Sequence, residues 1–520
     1  MVEVHFAKWL EKPFGRYRQE PSEFDPMLKM TLLFSIVLFA FTTSSAEPLD
    51  EFIQNAMKEY RVPGASIAIV RDGKVTELKG YGVRTAGRPE KVDPDTIFSL
   101  ASLTKPFTAV LVAGLVEDGK LGWTRRLSQD FPQIRLAEAY PTAEVTVRDL
   151  LVHRSGLPAF QGDFFDVLGY ERDEVIERIG HMPLSLGFRK EPGYSNVGFF
   201  LAGEAASHSM GTTYEKALDS RVLQPLGLTR TGFWHGTIQP EDNVASPHVL
   251  ESGVPRNFPT YDEQKVLAPA GLLTSTARDL SRFMLLHLDE GRLDGKQFLN
   301  PDSIATLFEP VVAEEPGFSE MPPISPSSGY DYSPGWGVYH VQNQKVVEKG
   351  GARTGVRTLI VMVPEKNLGI AVLCNLNGTA FPEAVRARIL AEELGFDDQA
   401  MQTEILSRQK SLDKMFGSLS TRPQPVPKAV APMTVEPQNL IGVYHSPLYG
   451  ELVVERSGPD LRWKAGDAGY GGRLYPLGNS TYVMDVPPGA LPGEATFVVD
   501  ENGRAVELQT EDYGRYTKKD

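Results

Sequence analysis

Phe98-Ser99-Leu100-Ala101-Ser102-Leu103-Thr104-Lys105-Pro106-Phe107-Thr108 sets a hydroxyl and an amine three residues apart at the head of an apolar segment. On a helix that spacing brings both side chains to one face within contact distance. Apolar positions at Phe107, Val110, Leu111, Val112 and Leu115 extend the predicted helix from about Ser102 to Glu117, where Asp118-Gly119 ends it. A serine hydroxyl is a weak nucleophile until a neighbouring base removes its proton. Lys105 can act as that base where burial disfavours its charged form, and the helix start offers N–H groups to developing negative charge. The spacing alone decides little, since Ser407-Arg408-Gln409-Lys410 and Ser411-Leu412-Asp413-Lys414 repeat it in a polar stretch expected to face solvent. The setting distinguishes Ser102: Ile97-Phe98-Ser99-Leu100-Ala101 before it and an apolar helix after it would enclose the lysine.

Two further groups follow in order. In Tyr194-Ser195-Asn196, a phenol can relay a proton and an amide can hold a substrate carbonyl or Lys105. In Lys349-Gly350-Gly351, after the β-like run Val346-Val347-Glu348, two glycines let a substrate lie against a strand backbone. Each is weak alone, and Lys-x-Gly recurs at Lys120 and Lys464. The ordered trio is far more specific.

Around these groups the pattern predicts an α+β domain. Ala65 to Val70 and Lys74 to Leu78 flank Arg71-Asp72-Gly73 as a hairpin. Gly271 to Leu288 reads as a helix, Thr358 to Val363 and Gly369 to Asn375 as strands, and Pro382 to Leu394 as a closing helix. Strands at both ends with helices between them imply a sheet completed by the two termini. From Met401 the sequence turns charged and then proline-rich, reading as a helix end and linker over 401–437. Seven short β-like runs then recur from Gly442 to Gln509, as in a small barrel occupying 438–520. The catalytic unit is accordingly placed at 47–400.

At the other end, Met27-Leu28-Lys29-Met30, the apolar run Thr31 to Thr42 and Ser44-Ser45-Ala46 have the order of a cleaved signal peptide. The expected true start is Met27, with residues 1–26 a misassigned extension. A genuine cytoplasmic n-region and an uncleaved anchor are the alternatives. The product is expected to be secreted or periplasmic, without a stable membrane anchor after cleavage. A net charge of -14 argues against nucleic-acid partners, because phosphate binding needs a basic face. The fractions of 41% hydrophobic and 23% charged residues exclude a disordered chain. The single cysteine, Cys374, rules out an internal disulfide and reads as a buried thiol. No His-Glu-x-x-His spacing, phosphate loop or dinucleotide fingerprint occurs, so neither metal nor cofactor is expected.

The segment from about Pro48 to Leu394 resembles the serine β-lactamase-related family of class C β-lactamases, D,D-peptidases, D-aminopeptidases and esterases. The resemblance rests on the stretch quoted first, on Leu150-Leu151-Val152-His153-Arg154-Ser155-Gly156-Leu157-Pro158, and on Pro269-Ala270-Gly271-Leu272-Leu273-Thr274-Ser275-Thr276-Ala277-Arg278-Asp279-Leu280. It implies a β-lactamase/transpeptidase-like fold with Ser102 as the acylated nucleophile, Lys105 and Tyr194 sharing proton transfer, and Asn196 orienting. It also implies substrate contacts at Lys349, Gly350, Gly351 and Ala352, with an oxyanion hole at the N–H groups of Ser102 and Ala352. The tail from about Gln438 to Lys518 resembles the lipocalin-like barrel found behind some members.

Gly350 stands where β-lactamases carry a hydroxyl residue, which favours an amide or ester hydrolase acting on a small-molecule or peptide substrate, cell-wall compounds included. A class C-like β-lactamase and a non-catalytic cell-wall binder or penicillin sensor are the alternatives. Arg353 or Arg357 is a candidate cation for a substrate carboxylate. His153 reads as a structural hydrogen-bonding residue, Asp279 as a helix cap, and Trp336 as core or cleft wall.

Overall fold

The computed structural model describes residues 47–233, 241–258, 266–313, 329–420, 431–485, 493–510 and 514–519. The expected leader and its start at Met27 lie outside the described residues. The helices used below are α1 (Leu49–Glu59), α2 (Lys105–Glu117), α3 (Asn196–Met210), α4 (Ala277–Leu288), α5 (Phe381–Leu394) and α6 (Gln399–Ser420). The main sheet contains β1 (Gly64–Arg71), β2 (Lys74–Gly82), β3 (Val312–Ala313), β4 (Asp331–Ser333), β5 (Trp336–Val341), β6 (Gln344–Arg353), β7 (Val356–Val363) and β8 (Leu368–Cys374).

Asp72 and Gly73 both take positive φ, 49° and 71°, the left-handed pair that a two-residue hairpin turn needs, so Arg71 pairs with Lys74. The sheet runs β2-β1-β8-β7-β6-β5-β4-β3, antiparallel throughout. The amino-terminal β1 thus lies beside β8, with Ala65 opposite Cys374 and Arg71 opposite Leu368. This is the expected α+β architecture, its sheet closed by the two ends of the domain.

Both faces of the central strands are covered, which is why they read as unbroken apolar runs. Leu368, Ile370, Val372 and Cys374 pack in one core with Ile53 of α1 and Val385 of α5. Ala371 and Leu373 pack in the other with Phe283 and Met284 of α4. The alternation follows the period of two along a strand. Burial also pushes the Cys374 thiol up to about 12, leaving it protonated and inert.

Two buried ion pairs pin α5 to the sheet. Arg386 Nη1 lies 3.0 Å from Glu348 Oε2, both side chains fully buried, and Tyr339 Oη donates to the same carboxylate at 2.8 Å. Arg357 pairs with Glu383 in the same way. Removing one partner of such a pair strands the other charge out of water. Arg386→Ala is therefore expected to destabilise the fold by about 3–5 kcal/mol, read as a lower urea midpoint with an unchanged m-value.

The sequence pattern misses three local features. The predicted helix over 271–288 is broken: Ala268–Gly271 forms one helical turn, Thr274–Ser275 pairs with Phe98–Ser99, and α4 starts only at Ala277. Thr276, not Asp279, caps α4, its hydroxyl accepting from Asp279 N. The Asp279 carboxylate instead accepts from Arg230 N and Thr231 Oγ1, each at 2.8 Å. The stretch after Met401 continues as α6 to Ser420, because Ile405, Gln409 and Leu412 recur on one buried face.

The carboxy-terminal part is a closed barrel of eight strands, β9 (Gly442–Ser446), β10 (Gly450–Ser457), β11 (Asp460–Ala465), β12 (Tyr470–Gly478), β13 (Thr481–Met484), β14 (Gly493–Val499), β15 (Ala505–Thr510) and β16 (Gly514–Lys518). The eighth strand, not among the predicted seven, closes the ring by pairing with β9. Tyr444, Leu452, Trp463, Tyr482, Phe497 and Tyr516 are each 3% exposed or less, so the barrel is filled by its own side chains.

Candidate active site

Ser102 lies in a single 3-10 turn, Ala101–Thr104, immediately ahead of α2 rather than in the first turn of the predicted continuous helix. Ala101 takes φ 48°, a left-handed conformation that costs a β-carbon-bearing residue about 1–3 kcal/mol. The surroundings enforce it. Leu100 N donates to Leu273 O at 2.8 Å. Thr104 Oγ1 donates to Ala101 O at 2.7 Å and accepts from Leu273 N at 3.1 Å. Thr358 Oγ1 of β7 donates to Leu100 O at 2.9 Å. The break between 271 and 277 thus supplies the loop that clamps the turn.

Lys105, the first residue of α2, is completely buried. Its Nζ lies 3.1 Å from Ser102 Oγ, 2.6 Å from Asn196 Oδ1 and 2.9 Å from the Ala270 carbonyl. A neutral amine has two N–H bonds and one lone pair. Once deprotonated, an amine donating to Asn196 and Ala270 would turn its lone pair toward Ser102 Oγ.

Asn196 opens α3, whose N-terminus is capped by the Ser195 hydroxyl accepting from Gly198 N at 3.1 Å. Its Nδ2 donates to Asp163 Oδ2 at 2.9 Å. Tyr194, just before the cap, has its ring 4.8 Å from Lys105 Nζ and 4.8 Å from Lys349 Nζ. The Tyr194 ring is therefore packed equally close to the two buried lysines. Lys349, Gly350, Gly351 and Ala352 lie on β6, beside the nucleophile turn. A β-carbon at Gly351 would come within 2.1 Å of Leu100 O and 3.0 Å of Leu103 N, so only glycine allows the strand this close.

His153 does not form a triad with Ser102: its Nδ1 accepts from Ser195 N at 3.0 Å and its ring packs on Tyr194, Phe199 and Tyr332. Burial and then the charges of Lys105 and Lys349 hold its pKa well below the usual range, so it stays neutral. Arg357 is no free cation for a substrate carboxylate, being buried against Glu383 and donating to Gly351 O at 3.1 Å. Arg353, at the end of β6, is partly exposed and interacts electrostatically with Asp166. Trp336 belongs to the core, fully buried among Phe283, His287 and Phe308. Ser407, Lys410, Ser411 and Lys414, the two chance repeats of the motif, are exposed. Sequence reasoning missed the Ala270 carbonyl and Asp163. A backbone acceptor leaves no residue-type signal, and Asp163 meets Asn196 only through the fold. Among the described residues, no group of three or more His, Cys, Asp or Glu could hold a metal ion, and no helix is long and apolar enough to cross a membrane.

A strained serine turn, a buried lysine on the serine and a tyrosine beside that lysine thus form one cluster in the domain that precedes the barrel. The chain belongs to the Beta-lactamase family, whose model matches residues 49–394. Members are serine acyl-transferases and hydrolases that act on small-molecule or peptide substrates, typically outside the cytoplasm. Protein flp of Staphylococcus aureus (strain NCTC 8325 / PS 47) is 24% identical over 352 residues, 66% of this chain and 66% of its own. The chain thus covers just under two thirds of that relative's length. Penicillin-binding protein 4 of Amycolatopsis lactamdurans is 30% identical over 328 residues, 61% of this chain and 82% of that one. In structure, the octameric penicillin-binding protein homologue from Pyrococcus abyssi superposes with a TM-score of 0.58 at 22% identity, covering 90% of this chain and 99% of that one.

Proposed function

We propose that this protein is a secreted or periplasmic serine hydrolase that cleaves an amide or ester bond through an acyl-enzyme on Ser102. The observation that carries the reading is Lys105, fully buried and fixed by Asn196 and Ala270 with its Nζ 3.1 Å from Ser102 Oγ. Ser102 Oγ attacks the substrate carbonyl as its proton passes to Lys105 Nζ. The oxyanion is received by the N–H groups of Ser102 and Ala352. Tyr194, whose ring packs on Lys105 and Lys349, relays the proton from Lys105 to the leaving amine or alcohol as the tetrahedral intermediate collapses. Water then attacks the acyl group, giving its proton to the same base, and Ser102 Oγ leaves with a proton.

Gly350 offers no hydroxyl to a substrate carboxylate and Arg357 is committed to Glu383, which favours a peptide, amide or ester substrate over a β-lactam. The reading includes cleavage of the leader at Ala46, with residues 47–400 as catalytic unit.

A fluorophosphonate probe is expected to label Ser102 and to leave the exposed Ser407 and Ser411 unmodified. Intact-protein mass spectrometry during turnover of a β-lactam, a short-chain ester and D-amino acid amides then reports which acyl group forms and is released. An adduct mapped to another residue would sink the assignment, and an acyl-enzyme that never turns over would favour a sensor.

A further inference from the structure

The barrel meets the catalytic domain close to the base. Leu448-Tyr449-Gly450, from the turn after β9 to the first residue of β10, packs into the segment 160–178. Tyr449, 1% exposed, accepts a hydrogen bond at Oη from Gly162 N at 3.1 Å. Its ring packs on Phe165 with centroids 5.6 Å apart, and its carbonyl accepts from Tyr170 Oη at 2.7 Å. Gly450 takes φ 74°, and a β-carbon there would come within 2.2 Å of Tyr170 Oη. A second barrel turn adds Ala468 N donating to Leu168 O at 3.0 Å.

The segment gripped in this way reaches Tyr194, Asn196 and the residue that precedes the Ala268–Gly271 turn. Phe160 N donates to Tyr194 O at 2.9 Å. Asp163, next to Gly162, accepts from Asn196 Nδ2 at 2.9 Å. Asp166 Oδ1 accepts from Leu267 N at 2.9 Å, at the start of the turn that presents the Ala270 carbonyl. The Asn196 contact is the most directional. A primary amide has a carbonyl end and an NH2 end, and anchoring the NH2 on a carboxylate turns the carbonyl toward Lys105. A rotated amide would set N–H against Nζ instead.

We propose that Tyr449, contributed by the barrel, is a positioning residue of the active site: it holds Gly162 so that Asp163 fixes the Asn196 amide against Lys105. The inference rests on Ser102 and Lys105 being the acylating pair. It makes the barrel part of the catalytic apparatus, with a stated route through three hydrogen bonds.

The test compares the full chain with Tyr449→Phe, Asp163→Ala and the double variant. Tyr449→Phe removes the acceptor and keeps the ring on Phe165. Phosphonylation of Ser102 by a fluorophosphonate, with fluoride leaving, is expected to slow about 5-fold in Tyr449→Phe and about 10- to 100-fold in Asp163→Ala. The double variant should match Asp163→Ala within about 2-fold, because the two act in series. The pH profile gives a readout that a merely structural role would not move. Lys105 is faced by Asn196, Tyr194, His153 and Lys349, and loss of the Asn196 carbonyl disfavours its ammonium form, so the acid limb shifts to lower pH in both variants. Rate losses that multiply in the double variant, or a wild-type rate and profile in Tyr449→Phe, would overturn the proposal. Hydrogen exchange separates this from failure of the hydrolase reading. Even if wild-type Ser102 proves unreactive, Tyr449→Phe should raise exchange in both 160–168 and 194–200, and unchanged protection there would overturn the positioning role.

Discussion

Lys105→Ala is expected to lower the rate of Ser102 acylation by about 10³-fold, within the range that a positioned general base contributes. The expectation follows from geometry: Nζ is the base within hydrogen-bond reach of Ser102 Oγ, and His153 is occupied by Ser195 N. The loss should exceed any effect on folding, although Asn196 Oδ1 and the Ala270 carbonyl lose their donor. Leaving buried acceptors unpaired costs about 1–3 kcal/mol each, so a thermal melt should accompany the kinetics. Lys105→Arg is the informative partner variant. It preserves N–H donors for Asn196 and Ala270, yet a guanidinium cannot give up its proton at working pH, so it should fail to restore the rate. The wild-type rate should fall on the acid side, where Nζ becomes an ammonium and has no lone pair for the serine proton. Burst amplitude and rate with an ester substrate across pH measure both points, and a full rate in Lys105→Ala would remove the lysine from the mechanism.

Whether a feature could be read from the sequence depended on how local its cause is. The Ser102 to Lys105 spacing and the Asp72-Gly73 hairpin are set by neighbours in the chain, and both stand in the structure. The apolar runs of β7 and β8 were legible because both faces of the sheet are covered. The break after Gly271 was not. Leu272 and Leu273 continue an apolar pattern that a helix could use, but Leu273 is taken by tertiary bonds to Leu100 and Thr104. The eighth barrel strand, 514–518, pairs locally with β15 but gains its second partner, β9, only when the ring closes. At the site, side-chain types were readable, whereas the Ala270 carbonyl and the Asp163 support depend on how distant loops meet. The exposed repeats at Ser407 and Ser411 make the complementary point: the same four-residue spacing has no chemistry without enclosure.

Enclosure also has a geometric side, and Gly351→Ala should expose it with a fall in kcat/KM of about 10²- to 10³-fold, the loss expected when an oxyanion donor is misplaced. The new methyl group would stand 2.1 Å from Leu100 O and 2.4 Å from Thr358 Oγ1. Leu100 O is backbone and is itself held by Thr358, so no side-chain rotation relieves the contact. The strand must move off the nucleophile turn. Ala352 follows Gly351 directly, and its N–H would retreat from that of Ser102, opening the pair that we propose converges on one oxygen. Donors must lie about 2.7–3.1 Å from that oxygen to stabilise it, so a shift on the order of 1 Å is enough to disable them. The Asn196 and Ala270 acceptors that hold Lys105 lie on α3 and the Ala270 turn rather than on β6. The acid limb should therefore stay where it is in the wild type while the plateau drops at every pH. That pattern separates a lost oxyanion hole from a lost base, and a Gly351→Ala rate within about 2-fold of wild type would show that β6 does not supply the donor.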